Sequence, residues 1–444
     1  MSLARTAYKD LEAWKSNPHR KALLIDGARQ VGKTYLVREF AQARYEVVLE
    51  INFIKTPSAK VVFEGDLDAN TIIAGLTAFS SKPLAPGKTL IFLDEIQECP
   101  RARTAIKFLV DDGRYDYIES GSLLGVTYRE VPSLPVGYEQ QITLYPLTIE
   151  EFFSANGIQD SVLSEVEQCF QKREAVPPAL HERLKRLFFY YLAIGGMPAV
   201  VQSFVDTHDV AQALEIQQGI LALYRQDIAR YASNKAHVHA IFDQIPAELN
   251  KKNKRFMLSD LAKSARMERY ASDFMWVADA GVALPCYNVT EPKAPLAINR
   301  QHSLLKVFLC DVGLLCAASL DAVQFELIRG NVRVNWGSIL ENALAQQLVA
   351  HGFKLFYFDK PKVGEVDFVV QLGGTVLPLE AKSGPRYREH ASLDKVLAVS
   401  DWGIDEAFVL CSDNVSTEGK VVYLPWYMLM FLERPTLPKS FIVE

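Results

Sequence analysis

The strongest constraint on the fold is eight residues long. Gly27-Ala28-Arg29-Gln30-Val31-Gly32-Lys33-Thr34 fits the pattern G-x-x-x-x-G-K-S/T at every position. An apolar run, Leu23–Ile25, precedes it, and an amphipathic stretch, Thr34–Ala43, follows. In a strand–loop–helix setting of this kind the glycines let backbone N–H groups turn inward around phosphates. Lys33 brings a point charge to the β- and γ-phosphates, and the Thr34 hydroxyl can ligate Mg²⁺. The helix that starts at the loop adds the positive end of its dipole. The expectation is that Gly27 through Thr34 bind ATP with Mg²⁺.

A second element makes hydrolysis the expected outcome of binding. Leu90-Ile91-Phe92-Leu93-Asp94-Glu95 is an apolar strand that ends in two carboxylates, sixty residues after Thr34. Asp94 would order the Mg²⁺, and Glu95 is placed to polarise the water that attacks the γ-phosphate. Ser120-Gly121-Ser122 follows the next strand. A hydroxyl there, Ser122 in particular, could reach the γ-phosphate or the attacking water; an ordinary strand-to-loop cap would use the same residues. The expected catalytic set is Lys33, Asp94, Glu95 and Ser122.

At 444 residues the chain exceeds one compact core and suggests two or three domains. Short strands and helices alternate over the first 150 residues, which implies a parallel sheet. Helical periodicity takes over from about Tyr145, in Ile149–Ala155, Pro178–Ala193 and Val210–Tyr231. Short helices and a hairpin, Leu284–Val289 with Lys306–Cys310, occupy the stretch to about Ser319. A second α/β alternation begins near Trp336, with strands Lys354–Phe358, Val366–Leu372 and Val376–Ala381. No apolar run is long enough for a membrane span. Residues 1–20 lack the continuous apolar segment of a secretory signal. The six cysteines, at 99, 169, 286, 310, 316 and 411, include no C-x-x-C pair and read as reduced cytosolic thiols. A cytoplasmic location is expected.

Taken together, these motifs resemble the AAA-fold ATPases of bacteria and archaea that carry a C-terminal domain of unknown function. The resemblance rests on the Gly27–Thr34 loop, Phe92-Leu93-Asp94-Glu95-Ile96-Gln97 and Gly121-Ser122. Further marks are Tyr145-Pro146-Leu147 with Glu150-Glu151-Phe152, Gly195-Gly196-Met197-Pro198, Asp227-Ile228-Ala229-Arg230-Tyr231 and Asp311-Val312-Gly313-Leu314. It covers nearly the whole chain and implies an AAA core, a winged-helix middle and a nuclease-like end. The family often has a basic residue after a glycine shortly before the Y-P-L element, whereas here Gly137 is followed by Tyr138. If that base serves as an arginine finger between subunits, Arg129 is a substitute available here.

The middle of the chain is mildly basic. Lys251, Lys252, Lys254 and Arg255 precede Ser259-Asp260-Leu261-Ala262, which reads as the N-cap and first helix of a helix-turn-helix; Lys263, Arg266 and Arg269 follow. Phosphate contact with DNA or RNA and a solvated face packed on the core both fit this stretch. The net charge of −5 leaves nucleic-acid binding to such a local patch. His237 and His239 have no companion ligand nearby and read as surface residues.

Near the end, Glu341 lies in a helical stretch, Asp367 in a strand, and Glu380-Ala381-Lys382 ends the next strand. This set resembles the PD-(D/E)XK nuclease constellation. Carboxylates there hold Mg²⁺ at a phosphodiester while the lysine positions or deprotonates the nucleophile. A lysine–carboxylate cluster on an inherited fold that no longer cuts is the other reading.

The expected architecture is α/β. Residues 1–230 form a P-loop NTPase core of AAA type with a helical lid, 231–325 a winged-helix-like module, and 326–444 a restriction-endonuclease-like domain. Three functions compete: an ATP-driven remodeller of nucleic acid or a protein client, a nucleotide-gated nuclease, and an ATP-dependent switch with an inactive nuclease-like domain. A homo-oligomer fits each of them.

Overall fold

A computed structural model describes residues 3–121, 133–261, 266–319, 324–329 and 336–435. Their contacts divide the chain into two units, Met1–Tyr145 with Asp279–Gly281, and Pro146–Ala278 with Val282–Glu444. The expected boundaries at residues 230 and 325 both fall inside the second unit.

The first unit runs α1 (Ala7–Ser16), β1 (Ala22–Asp26), α2 (Lys33–Arg44), β2 (Val47–Asn52), α3 (Ala69–Thr77), β3 (Thr89–Asp94), α4 (Pro100–Asp112), β4 (Asp116–Ser120) and β5 (Glu139–Thr143). The strands form one parallel sheet in the order β2-β3-β4-β1-β5. β1 and β3 are buried from end to end. Such strands read as unbroken apolar runs, because both faces of a parallel sheet are covered. Edge strand β5 reads Glu-Gln-Gln-Ile-Thr and lies half in solvent, so no apolar run announces it. Helix ends follow local chemistry. Asp68 accepts the Thr71 N–H at 2.9 Å to cap α3. α4 opens on Pro100 and stops at Gly113 with φ 71°.

β1 and β3 are not neighbours. β4 lies between them, and Ser120 at its end pairs in register with Ile25 on one side and Asp94 on the other. The Gly27–Thr34 loop and the two acids therefore meet at the carboxyl ends of the strands, where open α/β sheets bind ligands. Leu24, Leu49, Ile51, Ile91, Leu93 and Ile106 belong to the apolar core that holds this arrangement.

The second unit opens with helices α5 (Ile149–Ala155), α6 (Asp160–Lys172), α7 (Pro178–Ile194), α8 (Pro198–Thr207), α9 (Val210–Tyr231), α10 (Lys235–Leu249) and α11 (Met267–Asp279). Thr148 and Glu151 form a reciprocal capping box at the start of α5. The strands β6 (Ala283–Val289) and β7 (Arg300–Leu309) follow, then α12 (Val312–Ser319), α13 (Gln324–Ile328) and α14 (Gly337–Ala350). The chain continues through β8 (Phe356–Lys360), β9 (Gly364–Val366), β10 (Phe368–Leu372), β11 (Thr375–Ala381), α15 (Ala391–Leu397), β12 (Ala407–Cys411), β13 (Ser416–Glu418) and β14 (Val421–Pro425). α12 packs against α7 and α9. Asp311 ties this junction together: its carboxylate accepts the N–H of Gly196 at 2.6 Å and of Leu314 at 3.0 Å. A side chain on Gly195 would strike Asp311 Oδ1 at 2.2 Å, and one on Gly313 the Ile194 carbonyl oxygen at 2.3 Å, so the Gly195-Gly196 and Asp311-Val312-Gly313 segments meet because only glycine fits there.

Two sheets complete the unit, in the orders β7-β6-β8-β9 and β10-β11-β12-β14-β13. The expected hairpin is present as antiparallel β6–β7. β6 also pairs in parallel with β8, Tyr287 opposite Phe356 and Asn288 opposite Tyr357.

One local expectation is corrected. Val366–Leu372 is two strands in different sheets rather than one strand, because the chain turns at Asp367, whose carboxylate takes the Ala381 backbone N–H at 2.8 Å. Ser259, expected as a helix N-cap, sits in a 3₁₀ turn, Leu258–Asp260, and its hydroxyl donates to Asp260 at 3.1 Å. Ala262 and Lys263 lie outside the described residues. Among the described residues no helix is long and apolar enough to cross a membrane.

Candidate functional site

The loop after β1 is shaped by its glycines. Gly27 has φ 137°, and a side chain there would meet the Leu144 carbonyl oxygen at 2.2 Å. Gln30 at φ 69° and Gly32 at φ 92° complete the left-handed turns that lead into α2. Lys33 folds back on the loop and donates through Nζ to the carbonyls of Gly27 at 3.0 Å and Ala28 at 2.7 Å. Burial pulls its ammonium down to about 8, against the upward pull of Glu95, Asp26 and Asp94. Arg5 fixes the outside of the loop, donating to Val31 O at 3.1 Å and Tyr145 O at 2.5 Å.

Asp94 is the centre of a polar set. It is 3% exposed. Thr34 Oγ1 lies 3.2 and 3.3 Å from its two oxygens. Asn52 Nδ2 donates to it at 2.7 Å, the Glu95 N–H at 3.1 Å, and the Ser120 hydroxyl also donates. Thr34, Lys33, Asp94 and Glu95 are thus brought together. Glu95 holds φ 56°, a left-handed conformation uncommon outside glycine and often found at functional sites. Gln97 Nε2 donates to its carboxylate at 2.5 Å. Asp26, next to the loop, accepts from Gln141, and burial raises its carboxyl above the ordinary range. Ser122 and Arg129 lie outside the described residues. Tyr138 lies just before β5, its carbonyl accepting the Ala22 N–H at 3.0 Å.

Sequence reasoning missed Asn52 and the part played by Ser120 beside Asp94. Both are the last residues of parallel strands, a position that marks them out once the strands are assigned.

The donor set fits Mg²⁺ bound with a nucleotide. One hydroxyl and one carboxylate stand side by side, and the ion usually keeps several waters and takes phosphate oxygens for the rest.

The expected C-terminal set is also brought together. Glu341 projects from α14, Asp367 from the bend after β9, and Glu380 from β11, with Lys382 just beyond. Lys382 Nζ donates to Glu380 Oε1 at 2.9 Å. Burial and then Asp367 push the Glu380 carboxyl up to about 8, with Lys382 opposing. Burial and Asp367 likewise raise Glu341, against Lys306 and Lys254. Two neighbours were not legible in the sequence. Lys306 of β7 lies 2.5 Å from Glu365 and 3.7 Å from Glu341 Oε2, and Lys254 pairs with Glu341 Oε1. Lys306 is 1% exposed. Burial alone would favour its neutral form, but Glu341, Glu365 and Asp367 outweigh burial and hold it charged. Among the described residues no group of three or more His, Cys, Asp or Glu is disposed to hold a metal ion. As they stand, these carboxylates face lysines, not a vacant cation position.

Comparison with known proteins matches three parts of the chain. Residues 19–153 match the family model of an AAA domain. Residues 185–324 match a domain of unknown function (DUF8612), and 336–429 another (DUF4143). No curated protein matches by sequence. Solved structures similar to the chain include the Walker-type ATPase of Pyrococcus abyssi, at 13% identity and TM-score 0.44, over 71% of this chain and 96% of that one. They also include the ORC1 protein of Aeropyrum pernix in complex with DNA, at 13% identity and TM-score 0.27, over 72% and 92%. The Cdc6p of Pyrobaculum aerophilum matches at 13% identity and TM-score 0.24, over 75% and 97%. Residues 19–153, with their glycine loop on a parallel five-stranded sheet, are an AAA-type ATPase domain, and residues 336–429 are a DUF4143 domain.

Proposed function

We propose that the chain hydrolyses ATP with Mg²⁺ at Gly27–Thr34 and couples turnover to a change of state in its C-terminal half. The observation that carries this reading is Asp94 beside Thr34, with Glu95 next in chain on a left-handed turn. Lys33 would exchange the Gly27 and Ala28 carbonyls for phosphate oxygens, and the amides of Ala28 to Thr34 would cradle the phosphates. Thr34 and Asp94 would hold the Mg²⁺, which supplies charge neutralisation at the β- and γ-phosphates. Glu95, freed from Gln97, orients the attacking water and accepts its proton. Within this reading residues 1–230 act as core and lid, 231–325 as a winged-helix-like module, and 326–444 as the responding domain. Subunits could complete one another's sites in a homo-oligomer, which a turnover number that rises with protein concentration would report. The deciding experiment is ATP turnover in wild type and Glu95→Gln; equal rates would remove the assignment of Glu95.

A second reading is a nucleotide-gated nuclease at Glu341, Asp367, Glu380 and Lys382. Their convergence from one helix and two strand ends favours it. Lys251 and Lys254 are held by Glu248, Asp260 and Glu341, which leaves fewer free cations for DNA or RNA than the sequence count suggests. Mg²⁺-dependent cleavage of DNA or RNA by wild type and not by Asp367→Ala would establish it. No cleavage of any form, with or without ATP, favours the switch acting on a protein partner.

A further inference from the structure

The acids of the C-terminal set and two of the lysines that meet them come from different parts of the chain. Glu341, Glu365, Asp367 and Glu380 lie within residues 336–429, and Lys254 and Lys306 within residues 185–324, the segments that match two separate domain families. Lys306 stands in β7 at 1% exposure, opposite Cys286 of β6. Its Nζ lies 2.5 Å from Glu365, 3.7 Å from Glu341 Oε2 and 4.9 Å from the centre of the Tyr357 ring. Lys254, on the loop between α10 and the 3₁₀ turn at Leu258, donates to Glu341 Oε1. That loop is tied to β7, since the Phe256 N–H donates to Leu305 O at 2.8 Å. Within the terminal segment Lys382 donates to Glu380 Oε1 at 2.9 Å, and Asp367 accepts the Ala381 N–H at 2.8 Å. The nuclease resemblance implies Mg²⁺ among these acids, and the residues do not fit it. A hard divalent ion would need several of their oxygens at about 2.0–2.6 Å around one point. An ammonium at hydrogen-bond distance fills that space and repels the ion. Buried carboxylates without a cation are costly, and here the cations are lysines.

We infer that the acidic set of residues 336–429 is a socket for lysines of residues 185–324 rather than a metal site, with Lys306 as its resident cation and Lys254 as a second prong. The charge that a divalent ion would compensate is compensated by the neighbouring segment of the same chain. The two segments hold one another through these ion pairs, and the terminal domain is metal-independent. This leaves ATP hydrolysis at Gly27–Thr34 untouched and speaks against phosphodiester cleavage at Glu341, Asp367, Glu380 and Lys382.

The test uses the full, nucleotide-free chain and has two arms. In the first, Mn²⁺ binding is read by electron paramagnetic resonance in wild type and Asp367→Asn. The expected result is the same free-ion signal with both proteins, and a melting temperature of the second unit that Mn²⁺ does not shift. A Mn²⁺ ion that wild type binds and Asp367→Asn loses would overturn the inference. In the second, thermal melting compares Lys254→Gln, Lys254→Arg, Glu341→Gln and the double variant Lys254→Gln with Glu341→Gln. Lys254→Gln should lower the melting temperature by roughly 2–4 °C. Lys254→Arg, which keeps the cation, should melt as wild type does. The double variant should lose less than the two single losses added together. Glu341→Met, which keeps the stem without the charge, replaces Glu341→Gln if the latter fails to melt cooperatively. Strictly additive losses, or an arginine variant that loses as much as the glutamine one, would overturn the socket.

Discussion

Gln97 donates its side-chain amide to the Glu95 carboxylate at 2.5 Å, across a backbone that Glu95 holds at φ 56°. The two side chains are thus pre-set by a strained turn that follows the apolar strand β3. A general base positioned this way contributes typically 10²–10⁴-fold to a rate. Glu95→Gln should lower the ATP turnover number by about 10²-fold or more. Nucleotide affinity should stay near that of wild type. Gln97→Leu should lower turnover by about tenfold, because it removes only the orientation of the base. Phosphate release and binding of a fluorescent ATP analogue separate the two parameters; a change confined to affinity would contradict this arrangement.

Lys33 bears on binding itself. Its ammonium is desolvated and held only by loop carbonyls until phosphates replace them. Saturating MgATP at 100 times its Kd should stabilise the wild-type AAA domain by about 2.7 kcal/mol. Lys33→Met should lose that shift. Thermal melting with and without MgATP checks it, and an equal nucleotide-induced rise in both proteins would argue against a phosphate role for Lys33.

The Lys306–Glu365 pair is a stability test in the second unit. Removing one member of a buried ion pair costs about 3–5 kcal/mol, since the other charge is left behind. Lys306→Met should therefore lower the urea midpoint of the second unit by that equivalent. Lys306→Met with Glu365→Gln should recover part of the loss. A double variant no better than the single would mean that Lys306 answers chiefly to Glu341, 3.7 Å away.

His351 supplies a pH dependence. Its Nε2 lies 3.1 Å from Glu150 and its Nδ1 2.8 Å from the Leu432 carbonyl, with Gln347 alongside. Burial lowers its affinity for a proton, but the Glu150 hydrogen bond and charge, the Leu432 carbonyl and Glu433 together raise the imidazolium above its ordinary 6.5. A folded value above the unfolded one gives stability that is complete below 6.5 and lost as pH climbs through the raised value. The melting advantage of wild type over His351→Gln should be greatest near pH 6, roughly 1–2 kcal/mol, and shrink toward pH 9. An advantage independent of pH would show that the charge is not what stabilises the contact.

What the sequence made legible was what is local or continuous. The Gly27–Thr34 loop is one stretch of chain whose residue types answer to one ligand, and β1 and β3 announce themselves because burial on both faces demands apolar residues throughout. β5 was illegible because an edge strand needs no such run. Asp367 was misplaced inside a strand because the residues on either side, Val366 and Phe368, are both strand formers. The turn between sheets is made by a long-range bond to Ala381. Lys254 and Lys306 lie 87 and 35 residues from Glu341 in sequence, on elements with no shared periodicity, and only the folded chain brings their charges together.

The parallel pairing of β6 with β8 carries a consequence for how this chain can be divided. A cut between Leu309 and Trp336 would separate β6 from β8 and leave the paired backbone at Tyr287–Asn288 on one fragment and Phe356–Tyr357 on the other without a partner on that side. Such edges recruit strands from other molecules. The hairpin and the terminal domain should therefore be inherited, expressed and displaced as a single piece, and fragments that separate them should aggregate where the intact second half stays dispersed.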